Sequence, residues 1–89
     1  MKTFILYHPN SEQARNVEMF VHDFGKRYGA DLIELISVDT IVGSDKASVY
    51  GVVQYPSIIV TDSSGVMIKS WEGESMPLIS ELAYYTQDL

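Results

Sequence analysis

The sequence predicts a single α/β domain in which a four-stranded mixed sheet is flanked by three helices. Strand-like and helix-like segments follow one another in the order βαβαββα, and glycine, proline or small polar residues bound them. In addition, 89 residues with 46% hydrophobic content can build one core but not two. We therefore predict one domain over residues 1–89, with strand order 2-1-3-4 and with the short second helix on the face opposite the other two helices.

The first strand and the first helix have the clearest patterns. Residues 3–7 form an uninterrupted apolar run, which is typical of a strand buried on both faces at the centre of a sheet. A helix is predicted from Ser11 to about Tyr28, because apolar residues recur there every three or four positions opposite a charged face. Asn10 or Ser11 is expected to cap this helix, with Asn10 and Gln13 at the spacing of a capping box.

The second strand and the second helix follow. Asp31 to Val38 is predicted to pair in parallel with the first strand, because a strand, a crossover helix and a second strand of this size form a right-handed βαβ unit. After a loop that contains Gly43, either Ser44 or Asp45 is expected to cap a short helix. That helix should end near Tyr50.

A hairpin and a third helix complete the chain. Ile58 to Asp62 and Val66 to Trp71 are predicted to pair antiparallel, because Ser63-Ser64-Gly65 between them is typical of a hairpin turn. After Ser75 a last helix is predicted, with Pro77 in its first turn. Its buried stripe is expected to comprise Leu78, Ile79, Leu82 and Tyr85.

Two residue pairs mark the passage between the second helix and the third strand. Tyr50-Gly51 ends the helix, and Tyr55-Pro56 then opens the apolar run Ile58-Ile59-Val60. This passage resembles the proline loop of the thioredoxin superfamily. Pro56 must lie where that strand enters the sheet, because proline within a sheet is confined to an edge, a bulge or a strand's first residue. The resemblance extends over nearly the whole chain. It implies the thioredoxin-like fold and a cis peptide bond before Pro56.

The superfamily's redox motif lacks its cysteines in this chain. In the glutaredoxin layout, the two cysteine positions fall on His8 and Ser11, and Pro9 between them matches the glutaredoxin-like form of the motif. The sequence contains no cysteine, whereas thiol–disulfide exchange proceeds through a thiolate and a mixed disulfide. We therefore expect the domain to be redox-inactive, without disulfide reductase or isomerase activity.

Two loops supply the candidate binding residues, and no catalytic residue is assigned. The degenerate active-site loop contributes His8, Pro9, Asn10 and Ser11, and the cis-proline loop contributes Tyr55 and Pro56. His8 is interpreted as a solvated loop residue; in any binding role it should act as the neutral ring, because a helix N-terminus disfavours the imidazolium. Ser11 is interpreted as a helix cap. A Ser–His nucleophile pair would need an acidic residue to orient His8, and the spacing points to none.

Composition and charge argue against several classes of partner. The net charge is −6 and the pI is near 4.6, so the protein repels nucleic-acid phosphates and anionic lipid surfaces. Neither nucleic acid nor a membrane is therefore expected as a partner. No metal or other cofactor is expected, because His22 has no second histidine at ligand spacing and cysteine is missing. Met1-Lys2 leads directly into the first strand rather than into a signal peptide, so a cytoplasmic protein is expected.

Three hypotheses for function follow from these patterns. The first is a non-catalytic thioredoxin-like module that binds a protein or peptide at the two loops. The second is a glutathione or small-thiol binder, or a transferase-like enzyme, in which Ser11 or Tyr7 would hydrogen-bond a thiol. The third is a structural domain that self-associates, for example through the end of the last helix around Tyr84. On the first hypothesis, His8→Ala or Tyr55→Ala should weaken binding without lowering the melting temperature, because neither side chain is expected to fill the core.

Overall fold

The computed structural model describes residues 2–29, 31–73 and 76–86. Its strands and helices follow the predicted order βαβαββα, which confirms the fold class. The strands are β1 (Lys2–Tyr7), β2 (Ile33–Ser37), β3 (Ser57–Thr61) and β4 (Met67–Glu72). The helices are α1 (Ala14–Tyr28), α2 (Ile41–Val49) and α3 (Ile79–Thr86).

The sheet has the predicted strand order β2-β1-β3-β4. β1 pairs in parallel with β2 and antiparallel with β3, and β3 pairs antiparallel with β4. Every residue of β3 and every residue of β1 after Lys2 is buried, so neither strand has a polar face to turn towards water. This composition explains why β1 and β3 occupy the centre of the sheet.

Alternate side chains of β1 build a core on each face of the sheet. Ile5 points to one face and packs in a cluster with Phe24 of α1 and Leu82 of α3. Leu6 points to the other face and packs in a cluster with Ala47 of α2. Because successive side chains of a strand alternate, α1 and α3 lie on one face and α2 lies on the other, as predicted.

The start of α1 differs from the prediction. The helix begins at Ala14, its N-cap is Gln13, and no side-chain cap hydrogen bond forms there. The expectation that Asn10 or Ser11 caps α1 is wrong, because a turn occupies residues 9–13. Within this turn the Ser11 hydroxyl donates a hydrogen bond to the carbonyl of His8, at 2.7 Å. Ser11 therefore stabilises the turn and not the helix.

The start of α2 also differs, because Thr40 caps this helix. Thr40 Oγ1 accepts a hydrogen bond from the backbone N–H of Gly43 at 3.0 Å, and α2 begins at Ile41. The expectation that Ser44 or Asp45 supplies the cap is wrong, since both lie inside the helix. Gly43, which was expected in a loop, belongs to the first turn of α2.

The hairpin between β3 and β4 confirms the predicted antiparallel pairing. Asp62 Oδ1 accepts hydrogen bonds from the backbone N–H groups of Ser64 and Val66, at 2.8 and 3.0 Å. Gly65 has a φ of 88°, in the region that favours glycine. A side-chain oxygen and one glycine therefore set the turn.

α3 begins at Ile79, so Pro77 precedes the helix and does not lie in its first turn. Leu78 was expected to be buried but is 69% exposed. Ser75, after which this helix was predicted to begin, lies outside the described residues. The other positions of the predicted stripe are buried or half-buried, and they are Ile79, Leu82 and Tyr85.

Candidate functional site

The loops that carry the candidate residues all lie at one edge of the sheet. β1 and β2 run parallel, so both end at this edge, whereas the antiparallel β3 begins there and β4 ends there. The adjoining segments are residues 8–13 after β1, residues 38–40 after β2, residues 54–56 before β3, and Gly73 and Met76 after β4. We call these segments together the loop edge.

An aromatic contact joins the two predicted binding loops. The rings of His8 and Tyr55 meet edge-on, with centroids 4.9 Å apart and planes at 76°. Pro9 and Asn10 are exposed beside them, whereas Pro56 is buried and its peptide bond with Tyr55 is cis. Tyr55 is half-buried and packs against the core on the α2 face. The expectation that its side chain lies clear of the core is therefore wrong.

His8 has an acidic partner that sequence analysis missed. Asp39 Oδ1 lies 3.2 Å from His8 Nδ1, and the two side chains are 53% and 46% exposed. An ionised carboxylate can only accept a hydrogen bond, so Nδ1 carries the proton and, in the neutral ring, Nε2 carries the lone pair. Spacing along the sequence pointed to no acid that could orient His8, and the structure places Asp39 there. The available signal was topological: His8 follows β1, Asp39 follows β2, and these neighbouring parallel strands end together.

Neither hydroxyl that was considered as a thiol ligand is well placed for that role. The single hydroxyl proton of Ser11 is donated to the backbone carbonyl of His8, and not to its ring. Tyr7 is 9% exposed and belongs to the core beneath α1 and α3. Burial, and secondarily the charge of Glu18, raise the pKa of Tyr7, so its hydroxyl stays protonated at neutral pH. The loop edge thus presents an oriented histidine without an activated nucleophile hydrogen-bonded to it in the described part of the chain.

The backbone carbonyls on either side of Tyr55 are already hydrogen-bonded. On one side of it, the carbonyl of Gln54 accepts a hydrogen bond from the hydroxyl of Ser57, at 2.7 Å. On the other side, the carbonyl of Pro56 accepts one from the N–H of Gly73, at 3.0 Å. The N–H and carbonyl of Tyr55 itself make no hydrogen bond with any residue that the structure describes. Such a pair of unused backbone groups can bond to an added extended segment.

A groove of about 390 Å³ lies beside Pro56, between the start of α1 and the loop after β4. We call it the proline groove. It is lined by Glu12, Gln13, Asn16, Val17, Pro56 and Met76. Glu12 and Gln13 immediately precede α1, and Asn16 and Val17 belong to its first turn, so all four line the groove from the start of the helix. Sequence analysis did not single out Glu12, Asn16 or Met76 as binding residues.

Two other kinds of site are absent from the described ranges 2–29, 31–73 and 76–86. No three side chains of histidine, cysteine, aspartate or glutamate converge there as metal ligands. None of the helices in these ranges is both long enough and apolar enough to cross a lipid bilayer.

Comparisons with known proteins establish the fold. No protein-family model matches the sequence, and no curated protein matches it. Thioredoxin 1 from Thermosipho africanus superposes with a TM-score of 0.67 at 21% identity, over 96% of this chain and 89% of that one. Oxidised thioredoxin from Plasmodium falciparum superposes with a TM-score of 0.66 at 15% identity, over 96% of this chain and 78% of that one. The chain therefore has the thioredoxin-like fold, as its sequence predicted, and it has no cysteine.

Proposed function

We propose that this chain is a non-catalytic thioredoxin-like domain that binds an extended segment of a protein or peptide at its loop edge. The observation that supports this function best is that the backbone N–H and carbonyl of Tyr55, next to the proline groove, have no hydrogen-bond partner in the described part of the chain. One rung of backbone hydrogen bonds would hold the segment, and a side chain of that segment would enter the groove. When a peptide adds a strand to a sheet, its backbone hydrogen bonds contribute affinity, and pockets for its side chains contribute specificity.

His8 contributes to this surface as a fixed wall. Its ring lies against Tyr55 on one side, and its Nδ1–H is held by Asp39 on another. A ring with two such contacts loses little rotational freedom when a ligand binds, so less entropy opposes association. The proposed binding residues are His8, Pro9, Asn10, Ser11, Tyr55 and Pro56.

Binding fits the loop edge better than catalysis does. Thiol–disulfide exchange needs a thiolate, which this sequence cannot supply. The Ser11 hydroxyl serves the turn and Tyr7 serves the core, so neither supports the small-thiol alternative.

A backbone-specific titration tests this function. ¹⁵N-labelled protein is titrated with acetylated, amidated nonapeptides of mixed neutral and basic composition and, separately, with glutathione. The peptides should shift the amide signals of His8, Tyr55 and Gly73, whereas glutathione should leave them unchanged. One binding peptide is then N-methylated at each amide in turn. Methylation opposite Tyr55 should weaken binding about fivefold, the value of one lost hydrogen bond of about 1 kcal/mol.

The opposite results would identify one of the alternatives. Shifts on adding glutathione alone would favour the small-thiol binder. Shifts confined to α3 around Tyr84 would place the working surface away from the loop edge. Equal affinity for every N-methylated peptide would exclude backbone pairing at Tyr55.

A further inference from the structure

We propose that the segment bound in the proline groove presents a lysine or an arginine, whose cationic end lies against Glu12. This inference rests on the function proposed above and assigns the chemical class of its ligand. It follows from the lining of the groove, from the distribution of charge around it, and from the balance between Glu12 and the N-terminus of α1.

The lining of the groove matches a long side chain with a charged end. Met76 and Pro56 supply apolar surface, Val17 lies beneath them with no exposed surface of its own, and Glu12 is an exposed carboxylate at the same groove. Glu12 makes no hydrogen bond or ion pair with any residue in the described part of the chain. Lysine and arginine bury an aliphatic stem along apolar surface while their charged end stays at the rim. A side chain of that kind satisfies both parts of the groove.

No lysine or arginine forms an ion pair with Glu12 in the ranges 2–29, 31–73 and 76–86. None of the six lysines and arginines lines the groove or belongs to the loop edge. They are Lys2, Arg15, Lys26, Arg27, Lys46 and Lys69. Arg15 is nearest in sequence, but it lines a different depression of α1 together with Glu18.

Further carboxylates lie at the same edge. Asp39 stands beside His8, and Glu72 ends β4, where its Oε1 accepts a hydrogen bond from the backbone of Val53. The net charge of the whole chain is −6. The field at the groove therefore attracts a cationic segment and slows the approach of an anionic one.

The N-terminus of α1 opposes this preference but does not reverse it. A helix N-terminus is equivalent to roughly half a positive charge, and it favours anions within the first turn. Glu12 lies two residues before Ala14, where α1 begins, and its full negative charge exceeds that half charge. The local sum stays negative, so an anionic ligand such as glutathione is disfavoured.

The experiment uses four pools of acetylated, amidated nonapeptides with random neutral residues around a fixed central residue. That residue is lysine, arginine, norleucine or glutamate, and norleucine keeps the aliphatic stem of lysine without its charge. Binding is followed by NMR titration at low ionic strength. The lysine and arginine pools should bind about two- to fivefold more tightly than the norleucine pool, the range for a partly exposed ion pair. Added salt should reduce this ratio.

Two variants with the same change of net charge separate a local contact from the overall field. Glu12→Gln should abolish the preference for lysine over norleucine. Glu18→Gln, within α1 and outside the lining of the groove, should leave this preference intact. Equal reduction by both variants would overturn the inference, because it would show that only net charge matters.

The two proposals fail in distinguishable ways. If all four pools bind equally well, the inference about the cation is overturned while peptide binding stands. If none of the pools binds, the proposed function is overturned together with the inference.

Discussion

Substituting Gly43 by alanine should destabilise the fold through one backbone contact. A Cβ built on Gly43 would lie 1.9 Å from the carbonyl oxygen of Ser37 and 3.0 Å from the Cα of Val38. Both neighbours are backbone atoms, so no rotamer change can relieve the overlap. Restoring an ordinary contact requires the start of α2 to move away from the end of β2 by about 1.5 Å.

The size of the effect follows from what this movement disturbs. Overpacking of a core typically costs about 1–3 kcal/mol, and loss of the Thr40 cap adds about 1 kcal/mol. The higher helix propensity of alanine stabilises α2 by about 1 kcal/mol and offsets part of this cost. The last two terms cancel, and an overlap as close as 1.9 Å with a backbone atom places the cost at the upper end of the overpacking range. We therefore expect Gly43→Ala to lower the free energy of unfolding by about 3 kcal/mol. A domain of this size has only about 4–13 kcal/mol in total, so the melting temperature should fall by roughly 15 °C.

Urea unfolding followed by Trp71 fluorescence measures this change. Ser48→Ala, at an exposed position of α2, is the matched control and should stay within about 0.5 kcal/mol of the wild type. Because Asp39 lies just before α2, the variant should also weaken peptide binding at the loop edge. Wild-type or greater stability of Gly43→Ala would refute the argument, since it would mean that propensity outweighs the contact.

Three further predictions concern the site and the core beneath it. Asp39→Ala should move the ¹⁵N signals of the His8 ring towards those of the Nε2-protonated tautomer, while the signals of the exposed His22 stay unchanged. An unchanged His8 spectrum would contradict the assigned orientation of its ring. Tyr55→Ala should lower the free energy of unfolding by about 2 kcal/mol, whereas His8→Ala should lower it by less than about 0.5 kcal/mol. Equal melting temperatures of the two variants would contradict the packing of Tyr55 against the core. Burial raises the pKa of Tyr7 in the folded protein. As the pH rises above about 10, the unfolded chain therefore releases this proton first, and stability falls. In Tyr7→Phe the loss of stability above about pH 10 should be smaller, and identical pH profiles of the two proteins would contradict the argument.

The fold was predictable from the sequence because burial imposes a pattern that the chain displays directly. The apolar run Ile58-Ile59-Val60 can only be accommodated between other strands, and the hairpin turn fixes its antiparallel neighbour. The helix caps were not predictable in this way. Ser44, Asp45 and Thr40 all have the chemistry of a cap, and only the course of the chain out of β2 places Thr40 within reach of the first turn.

Strand order alone predicts which loops meet at the site. It would also have predicted one contact that the sequence analysis did not derive. Local spacing cannot pair His8 with Asp39, because 31 residues separate them. The predicted order 2-1-3-4 can, since it already places the ends of β1 and β2 side by side. Asp39 is the one acidic residue in the segment 38–40, so it is the one carboxylate that this segment could bring to His8. In a sheet of known order, the short segments after neighbouring parallel strands should therefore be searched as a single cluster for charged partners before any local motif is judged to lack one.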